Sequence, residues 1–108
     1  MKKIKQSFDG LIYFKKIKPF KNICPVSKKE EFCNIELKYI PNECLIEIVS
    51  YRKYFDKVFQ KTIEGICDEV FFYIKKKFSP KYLLVEVFLE GNPNLTEWSC
   101  KKETKENK

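Results

Sequence analysis

The sequence predicts an α+β domain in which a pair of strands, two helical segments and a second pair of strands follow one another. Residues 32–41, FCNIELKYIP, alternate apolar and polar side chains, as an antiparallel strand with one buried face does. Residues 57–78 instead place apolar side chains three and four positions apart, which is the spacing of one helical face. Antiparallel strands that cluster around helices are typical of the α+β class. With 108 residues, the chain is expected to form one domain, 1–108.

The first pair of strands is expected to be separated by a loop. Residues 10–18, GLIYFKKIK, are rich in β-branched and aromatic side chains and predict a strand, which Pro19 ends. Residues 20–31 are expected to form a loop that carries Cys24, and the second strand follows at 32–41. The alternation predicts that one face of the second strand is buried. That face carries Cys33, Ile35, Leu37 and Tyr39.

Two helical segments are predicted between the strand pairs. SYRKYF, residues 50–55, is a candidate for a short helix. The long helix is predicted at 57–78 and should stop at Ser79-Pro80, because the residue before a proline disfavours helical backbone angles. The apolar face of the long helix carries Phe59, Ile63, Ile66, Val70, Ile74 and Phe78.

The second pair of strands is predicted near the C-terminus. KYLLVEVFLEG, residues 81–91, alternates like a strand, a turn is expected at 91–94, and LTEWSC, residues 95–100, predicts a short fourth strand. The buried face of the third strand is expected to carry Leu83, Val85, Val87 and Leu89. Residues 1–8 are expected to form a loose basic arm, and residues 101–108 a flexible polar tail.

Charge and composition restrict the partners of the chain. The net charge of +7 and the pI of about 9.1 favour an anionic partner, nucleic acid first, although lysines that only solvate the surface would give the same balance. Arg52 is the only arginine, which favours attraction to a phosphate backbone over the reading of bases. No apolar run approaches the roughly 20 residues of a membrane span, and the N-terminus lacks the apolar core of a signal peptide. The sequence therefore predicts a cytoplasmic protein without a membrane partner.

Five cysteines are scattered along the chain, and most are expected to be small buried side chains. No C-x-x-C pair and no histidine occurs, so a zinc site is not expected. Disulfides are also not expected in a cytoplasmic protein. Cys24 differs because a proline follows it directly and an acidic pair, Glu30-Glu31, lies a few residues further on. Without a histidine in the chain, a reactive Cys24 would need another group to handle protons.

The order of short motifs resembles the QueF family of the tunnelling fold (T-fold). CPVS at Cys24 is followed by Glu31-Phe32, with Glu31 seven positions after the cysteine, and then by a strand that ends in YIP. Ile46-Glu47, a helix with Glu64 in its first half, and SPKYLLVEV follow in turn. The resemblance covers residues 20 to 90 approximately, and CPVS, EF and YIP are its most specific part.

The resemblance implies a covalent mechanism on the nitrile of 7-cyano-7-deazaguanine. In that family a cysteine thiolate adds to the nitrile carbon to form a thioimide, and a nearby acid protonates the nitrile nitrogen. By motif position Cys24 is the nucleophile and Glu31 the acid, where the family usually has aspartate; Glu30 is the neighbouring alternative. Glu64 would anchor the purine-like ring, although the histidine that usually precedes it is replaced by Ile63.

A broken cofactor motif distinguishes this chain from the reductases of the family. Their NADPH-binding motif, of the kind Glu-Ser-Lys-Ser-x-Lys-x-Tyr, corresponds here to EIVSYRKY, residues 47–54. Glu47 and Ser50 keep their positions and are expected to contact substrate, whereas Val49 and Arg52 replace the two lysines. Loss of a phosphate-binding lysine argues against NADPH, so no cofactor is expected.

The short QueF-like branch of the family lacks that motif and makes archaeosine. The resemblance to it implies an amidinotransferase that acts on tRNA carrying 7-cyano-7-deazaguanine and uses ammonia. It also implies a ring-shaped homo-oligomer, since T-fold enzymes place their sites between subunits. Two alternatives remain at this point: an NADPH-dependent nitrile reductase and a non-catalytic RNA-binding module of the same fold.

Overall fold

A computed structural model describes residues 1–5, 7–90 and 98–104 of the chain. Its main feature is an antiparallel five-stranded sheet in the order β2-β4-β6-β7, with β3 also paired to β4. Two helices lie between β5 and β6, and β1 pairs with β5 as a separate two-stranded sheet. The elements are β1 Lys3–Ile4, β2 Ile12–Phe14, β3 Phe20–Ile23, β4 Glu30–Ile40, β5 Leu45–Ile46, α1 Ile48–Tyr54, α2 Ile63–Phe78, β6 Tyr82–Glu90 and β7 Ser99–Glu103.

The hydrophobic core lies between the helices and one face of this sheet. The alternating residues predicted to face inward on β4 are all at most 1% exposed, and Leu83, Val85 and Val87 on β6 are fully buried. The apolar face predicted for the long helix is buried as well. Burial of these side chains is the main stabilising contribution of the fold. The predicted α+β class is therefore confirmed, and so are the predicted buried faces, except that Leu89 near the end of β6 is only partly buried.

The long helix begins later than the sequence predicts. It was expected from residue 57, but α2 starts at Ile63, after Thr62 caps it by accepting a hydrogen bond from the Gly65 N–H at 3.1 Å. Phe59 is buried without being helical, because its backbone forms hydrogen bonds with Lys21 and Ile23 beside β3. An apolar residue in helical register can therefore reach the core from an extended segment.

The predicted loop at 20–31 also contains regular structure. Phe20–Ile23 form β3, and Glu30 and Glu31 already belong to β4. The predicted first strand is correspondingly shorter, Ile12–Phe14, and a break separates it from β3. The buried Asn34 side chain spans that break, since it accepts a hydrogen bond from the Ile17 N–H at 2.9 Å and donates one to the Ile17 carbonyl at 2.7 Å.

Both ends of the chain contribute strands where none was predicted. Lys3 and Ile4 in the predicted basic arm form β1, which pairs with β5. The fourth strand was predicted at 95–100 but β7 spans Ser99–Glu103, three residues into the predicted tail. Pairing with β6 decides this register, as Val87 lies opposite Cys100 and Val85 opposite Lys102. The predicted turn at 91–94, residues 95–97 and residues 105–108 lie outside the described residues.

Candidate active site

The candidate site lies at the C-terminal end of β3, beside the start of β4. Asn22 of β3 stands directly opposite Glu31 of β4. Cys24 follows β3 by one residue and is partly exposed. The pairing of β3 with β4 therefore brings Cys24 and Glu31 to the same end of the sheet, although seven positions separate them in sequence.

A tight turn after Cys24 determines the surroundings of its thiol. The Cys24 carbonyl accepts a hydrogen bond from the Lys28 N–H at 2.8 Å, and the Cys24 N–H donates one to the Lys29 carbonyl at 3.1 Å. Lys28 has a φ of 62°, in the left-handed region, which lets the chain reverse within so few residues. In this turn the backbone N–H groups of Val26 and Ser27 lie close enough to the sulfur to stabilise its negative charge.

This turn makes Cys24 more acidic than an ordinary cysteine. The Ser27 backbone N–H, the Ser27 hydroxyl and then the Val26 N–H lower the pKa of Cys24 from its usual 9.0, because all three stabilise the thiolate. Burial and, to a smaller extent, the negative charge of Glu31 act in the opposite direction and raise it. The thiolate is the nucleophilic form, so Cys24 has the property that covalent catalysis requires.

Three other cysteines of the chain, two of them buried, behave in the opposite way. Burial raises the pKa of Cys33 to about 12 and that of Cys67 to about 12. Burial also raises the pKa of Cys100, with a contribution from the charge of Glu64. These thiols stay protonated near neutral pH, so Cys24 is distinguished from them by chemistry as well as by its motif.

Asn22 holds the Glu31 carboxylate, a role that the sequence did not indicate. The Asn22 side chain is fully buried and donates a hydrogen bond to Glu31 Oε1 at 2.8 Å. It also donates to the Lys61 carbonyl at 2.7 Å and accepts from the Lys61 N–H at 3.1 Å. The amide donor therefore fixes the orientation of the Glu31 carboxyl group. Strand alternation would have revealed Asn22 only if residues 20–23 had been predicted as a strand.

Glu64 lies at the same end of the sheet as Cys24 and Glu31. It is exposed in the first turn of α2, three residues after Lys61, whose backbone forms the hydrogen bonds with Asn22. Its charge affects the pKa of Cys100 on β7. No hydrogen bond or ion pair between Glu64 and either Cys24 or Glu31 occurs among the described residues. Glu64 is therefore not part of the Cys24–Glu31–Asn22 cluster.

Glu47 and Ser50 lie at the start of α1 and not at the end of β3 and the start of β4, where Cys24 and Glu31 lie. The Glu47 carboxylate caps α1 and accepts hydrogen bonds from the N–H groups of Val49 and Ser50, which lower its pKa. The Ser50 hydroxyl accepts a hydrogen bond from the Lys2 N–H at 2.7 Å. The Ile46 N–H, next to Glu47 in the chain, donates a hydrogen bond to the hydroxyl of Tyr39. Tyr39 stands eight positions after Glu31 on β4, so these two residues lie about 26 Å apart along the strand.

Residues 1–5, 7–90 and 98–104 bring together no group of three or more side chains that could hold a metal ion. In the same part of the chain, no helix has the length and apolar character needed to cross a bilayer.

Comparison with known proteins relates the chain to enzymes of 7-deazaguanine chemistry. No family model matches the sequence. The sequence is 28% identical over 76 residues to the NADPH-dependent 7-cyano-7-deazaguanine reductase of Sulfurimonas denitrificans, a match covering 68% of this chain and 59% of that protein. It is 30% identical over 64 residues to the reductase of the same name from Campylobacter lari, covering 57% and 50%. The chain thus spans little more than half the length of these relatives.

Solved structures with the same fold cover nearly the whole chain. The archaeosine synthase QueF-Like, in its apo form, matches with a TM-score of 0.76 at 20% identity, over 91% of this chain and 96% of that one. A protein described as the dihydroneopterin aldolase FolB of Vibrio cholerae matches with a TM-score of 0.64 at 8% identity, over 91% and 98%. The predicted tunnelling fold is confirmed by these matches. The resemblance to the QueF family is confirmed by fold and sequence together.

Proposed function

We propose, from the similarity of this chain to the QueF family, that it modifies tRNA by converting the nitrile of 7-cyano-7-deazaguanine to the amidine of archaeosine. The observation that carries the proposal is the turn at residues 24–29, which lowers the pKa of the Cys24 thiol beside the Glu31 carboxyl. A nitrile carbon is an electrophile that a thiolate attacks directly, and the negative charge then develops on nitrogen. Cys24 supplies the thiolate and Glu31 the acid.

The proposed reaction has two steps and returns the enzyme unchanged. The Cys24 thiolate forms a bond to the nitrile carbon while Glu31 gives its proton to the nitrogen, which produces a thioimide. Ammonia adds to the same carbon, Glu31 carries one of its protons, and the carbon–sulfur bond breaks to release the thiolate and the amidine. No electrons are transferred, so the reaction needs no reductant. Asn22 acts as a positioning residue, because its amide bonds one oxygen of Glu31 and leaves the other for the proton.

Reduction of the nitrile is the second candidate, because the similar proteins in the sequence comparison are NADPH-dependent reductases. The segment that would correspond to their cofactor motif forms α1, where Val49 and Arg52 are exposed in place of two lysines. Lysine is a strong ligand for cofactor phosphates, and valine offers none. This loss favours ammonia over hydride as the group that resolves the thioimide.

A complete substrate pocket is proposed to require a second copy of the chain. Glu47 follows Ile46, whose N–H binds the hydroxyl of Tyr39, and Tyr39 lies about 26 Å along β4 from Glu31. We therefore expect Glu47 and Glu31 of one subunit not to contact the same small base. In a ring, Glu47 and Ser50 of a neighbouring copy could meet Cys24. The outer edges of β2 and β7 lack a strand partner in the described part of the chain, and such edges favour pairing between copies. Light scattering at micromolar concentration should give the mass of an oligomer; a monomer would contradict the shared pocket.

Intact-mass measurement tests the central step. Incubated with free 7-cyano-7-deazaguanine, the protein should gain the mass of one base per chain, and Cys24→Ala should abolish the gain. Cys44→Ala, which removes another partly exposed thiol, is the matched control and should retain it. An adduct that survives Cys24→Ala would disprove the assignment of the nucleophile.

Product analysis then separates the two candidate reactions. Ammonium and tRNA that carries the nitrile base should yield archaeosine, at a rate that NADPH does not alter. NADPH consumption with an aminomethyl product and no amidine would establish the reductase instead.

A further inference from the structure

A basic groove runs along the edge of the sheet beside the candidate site. Its first part has a volume of about 460 Å³ and lies between β3 and the segment after α1, with Lys18, Lys21, Arg52 and Lys57 on its lining. A second depression along β2 adds Lys15 and Lys16 and shares Lys18 and Arg52 with the first. The two depressions therefore form one continuous surface, which we call the basic groove.

The charge of the basic groove is strongly one-sided. Asp56 is the acidic residue among its described lining residues. Three of its lysines are partly compensated: Lys16 by Glu90 at 3.0 Å, Lys21 by Glu30 at 3.4 Å and Lys57 by Glu69 at 3.5 Å. Lys18 and Arg52, where the two depressions meet, form no ion pair within residues 1–5, 7–90 and 98–104. The centre of the groove thus presents two uncompensated cations to solvent.

The groove borders β3, the strand that Cys24 directly follows. Lys21 lies opposite Phe32 in the β3–β4 register, one pair away from Asn22 and Glu31. Lys21 precedes Cys24 by three residues of extended chain, which is about 10 Å, and Lys18 lies three residues further back. Phe32 also lines the groove and is 44% exposed, although most aromatic side chains of the chain are buried or partly buried. An exposed aromatic ring between cations is the arrangement on which nucleic-acid bases stack.

We propose that the basic groove binds the sugar–phosphate backbone of the tRNA next to the modified nucleotide, with Lys18 and Arg52 contacting phosphates and Phe32 contacting a neighbouring base. This inference rests on the proposed function. An enzyme that acts on one base must reach it outside the stack, so the flanking backbone has to be held beside the site. Lysine-rich contacts attract phosphate without reading sequence, while the planar guanidinium of Arg52 can bind a phosphate through two hydrogen bonds.

Binding of an unmodified tRNA transcript tests this assignment. The double variant Lys18→Gln/Arg52→Gln is compared with Lys75→Gln/Lys76→Gln, which removes the same charge from the C-terminal part of α2, about 18 to 20 Å from its start. The groove variant should bind at least about tenfold more weakly, as expected for the loss of charge-assisted contacts. Between about 50 and 200 mM salt, the slope of log affinity against log salt should fall by roughly 1.4 to 1.8 for two lost phosphate contacts. The control should keep the affinity and the slope within experimental error.

Four outcomes would overturn the proposal. A groove variant with wild-type affinity and slope, or an equal loss in the control, would show that the groove is not the binding surface. Loss of the oligomer in the groove variant, with tRNA binding retained, would identify a second copy of the chain as the occupant. Saturable NADPH binding that the groove variant loses would identify a dinucleotide instead.

A separate readout distinguishes failure of the groove from failure of the proposed function. Wild-type protein that binds tRNA but captures no free 7-cyano-7-deazaguanine would refute the enzyme and leave the groove as an RNA-binding surface. If the wild-type protein captures the base and the groove variant still binds tRNA normally, the groove assignment is refuted and the proposed enzyme stands.

Discussion

Asn22→Ala tests whether the buried amide positions the acid of the candidate site. The substitution removes three hydrogen bonds, one to Glu31 and two to the backbone of Lys61. At about 1 kcal/mol net for each bond, the free energy of unfolding should fall by about 3 kcal/mol. For a chain of this size that corresponds to a decrease in Tm of about 12 °C. Release of the Glu31 carboxyl should also slow formation of the nitrile adduct by about 100-fold, the scale of effect expected when a catalytic group loses its orientation.

Asn34→Ala is the matched control for this experiment. Asn34 is 2% exposed and likewise forms three hydrogen bonds, two with the backbone of Ile17 and one from the Ile35 N–H, but it does not contact Glu31. Both variants should lose similar stability in thermal unfolding. Adduct formation, followed by intact mass at a temperature where both are folded, should slow only in Asn22→Ala. Equal adduct rates in the two variants would refute the positioning role and leave Asn22 with a structural one.

Three further variants probe the proton chemistry and the ligand contacts. Glu31→Gln should slow nitrile addition by about 10²–10⁴-fold. It should also speed alkylation of Cys24 by iodoacetamide at neutral pH, because the negative charge that raises the Cys24 pKa is gone; slower alkylation would contradict this electrostatic coupling. Ser27→Ala removes a donor that lowers the Cys24 pKa, so the midpoint of alkylation against pH should move up towards 9.0; an unchanged or lower midpoint would contradict it. Glu64→Ala should raise the concentration of free base needed for half-maximal adduct formation and leave the saturated rate unchanged. Asp68→Ala, which changes another exposed carboxylate of α2, is the control. A fall in the saturated rate alone would assign Glu64 to the chemistry.

Periodicity predicted the interior of this protein well, because it reflects which side chains must leave water. The alternation in residues 32–41 identified the buried face of β4, and the three–four spacing identified the buried face of α2. Phe59 shows the limit of that reasoning: it keeps the helical spacing and is buried, but pairing with β3 holds it in an extended segment. Periodicity therefore predicts burial more reliably than it predicts where an element begins.

Strand pairing decided what the sequence left open. Phe20–Ile23 lacks a long alternating pattern of its own and becomes a strand because β4 supplies its hydrogen-bonding partner. Ser99–Glu103 contains three charged residues and still forms an edge strand, since β6 offers an open edge. Contacts between residues distant in sequence determine both cases, and local preference carries little information about them.

For the candidate site as well, some features follow from the sequence and others only from the tertiary structure. The sequence by itself determined the chemical groups, since Cys24, Glu31 and Glu64 stand at positions that resemble the motifs of the QueF family. Only the tertiary structure decided that Asn22 holds Glu31, that the Val26 and Ser27 N–H groups face the thiol, and that Glu47 lies at the far end of β4. The physical reason is that the identity of a reactive group is local, whereas its acidity and orientation depend on neighbours that the β3–β4 pairing and the turn after Cys24 bring within hydrogen-bonding distance.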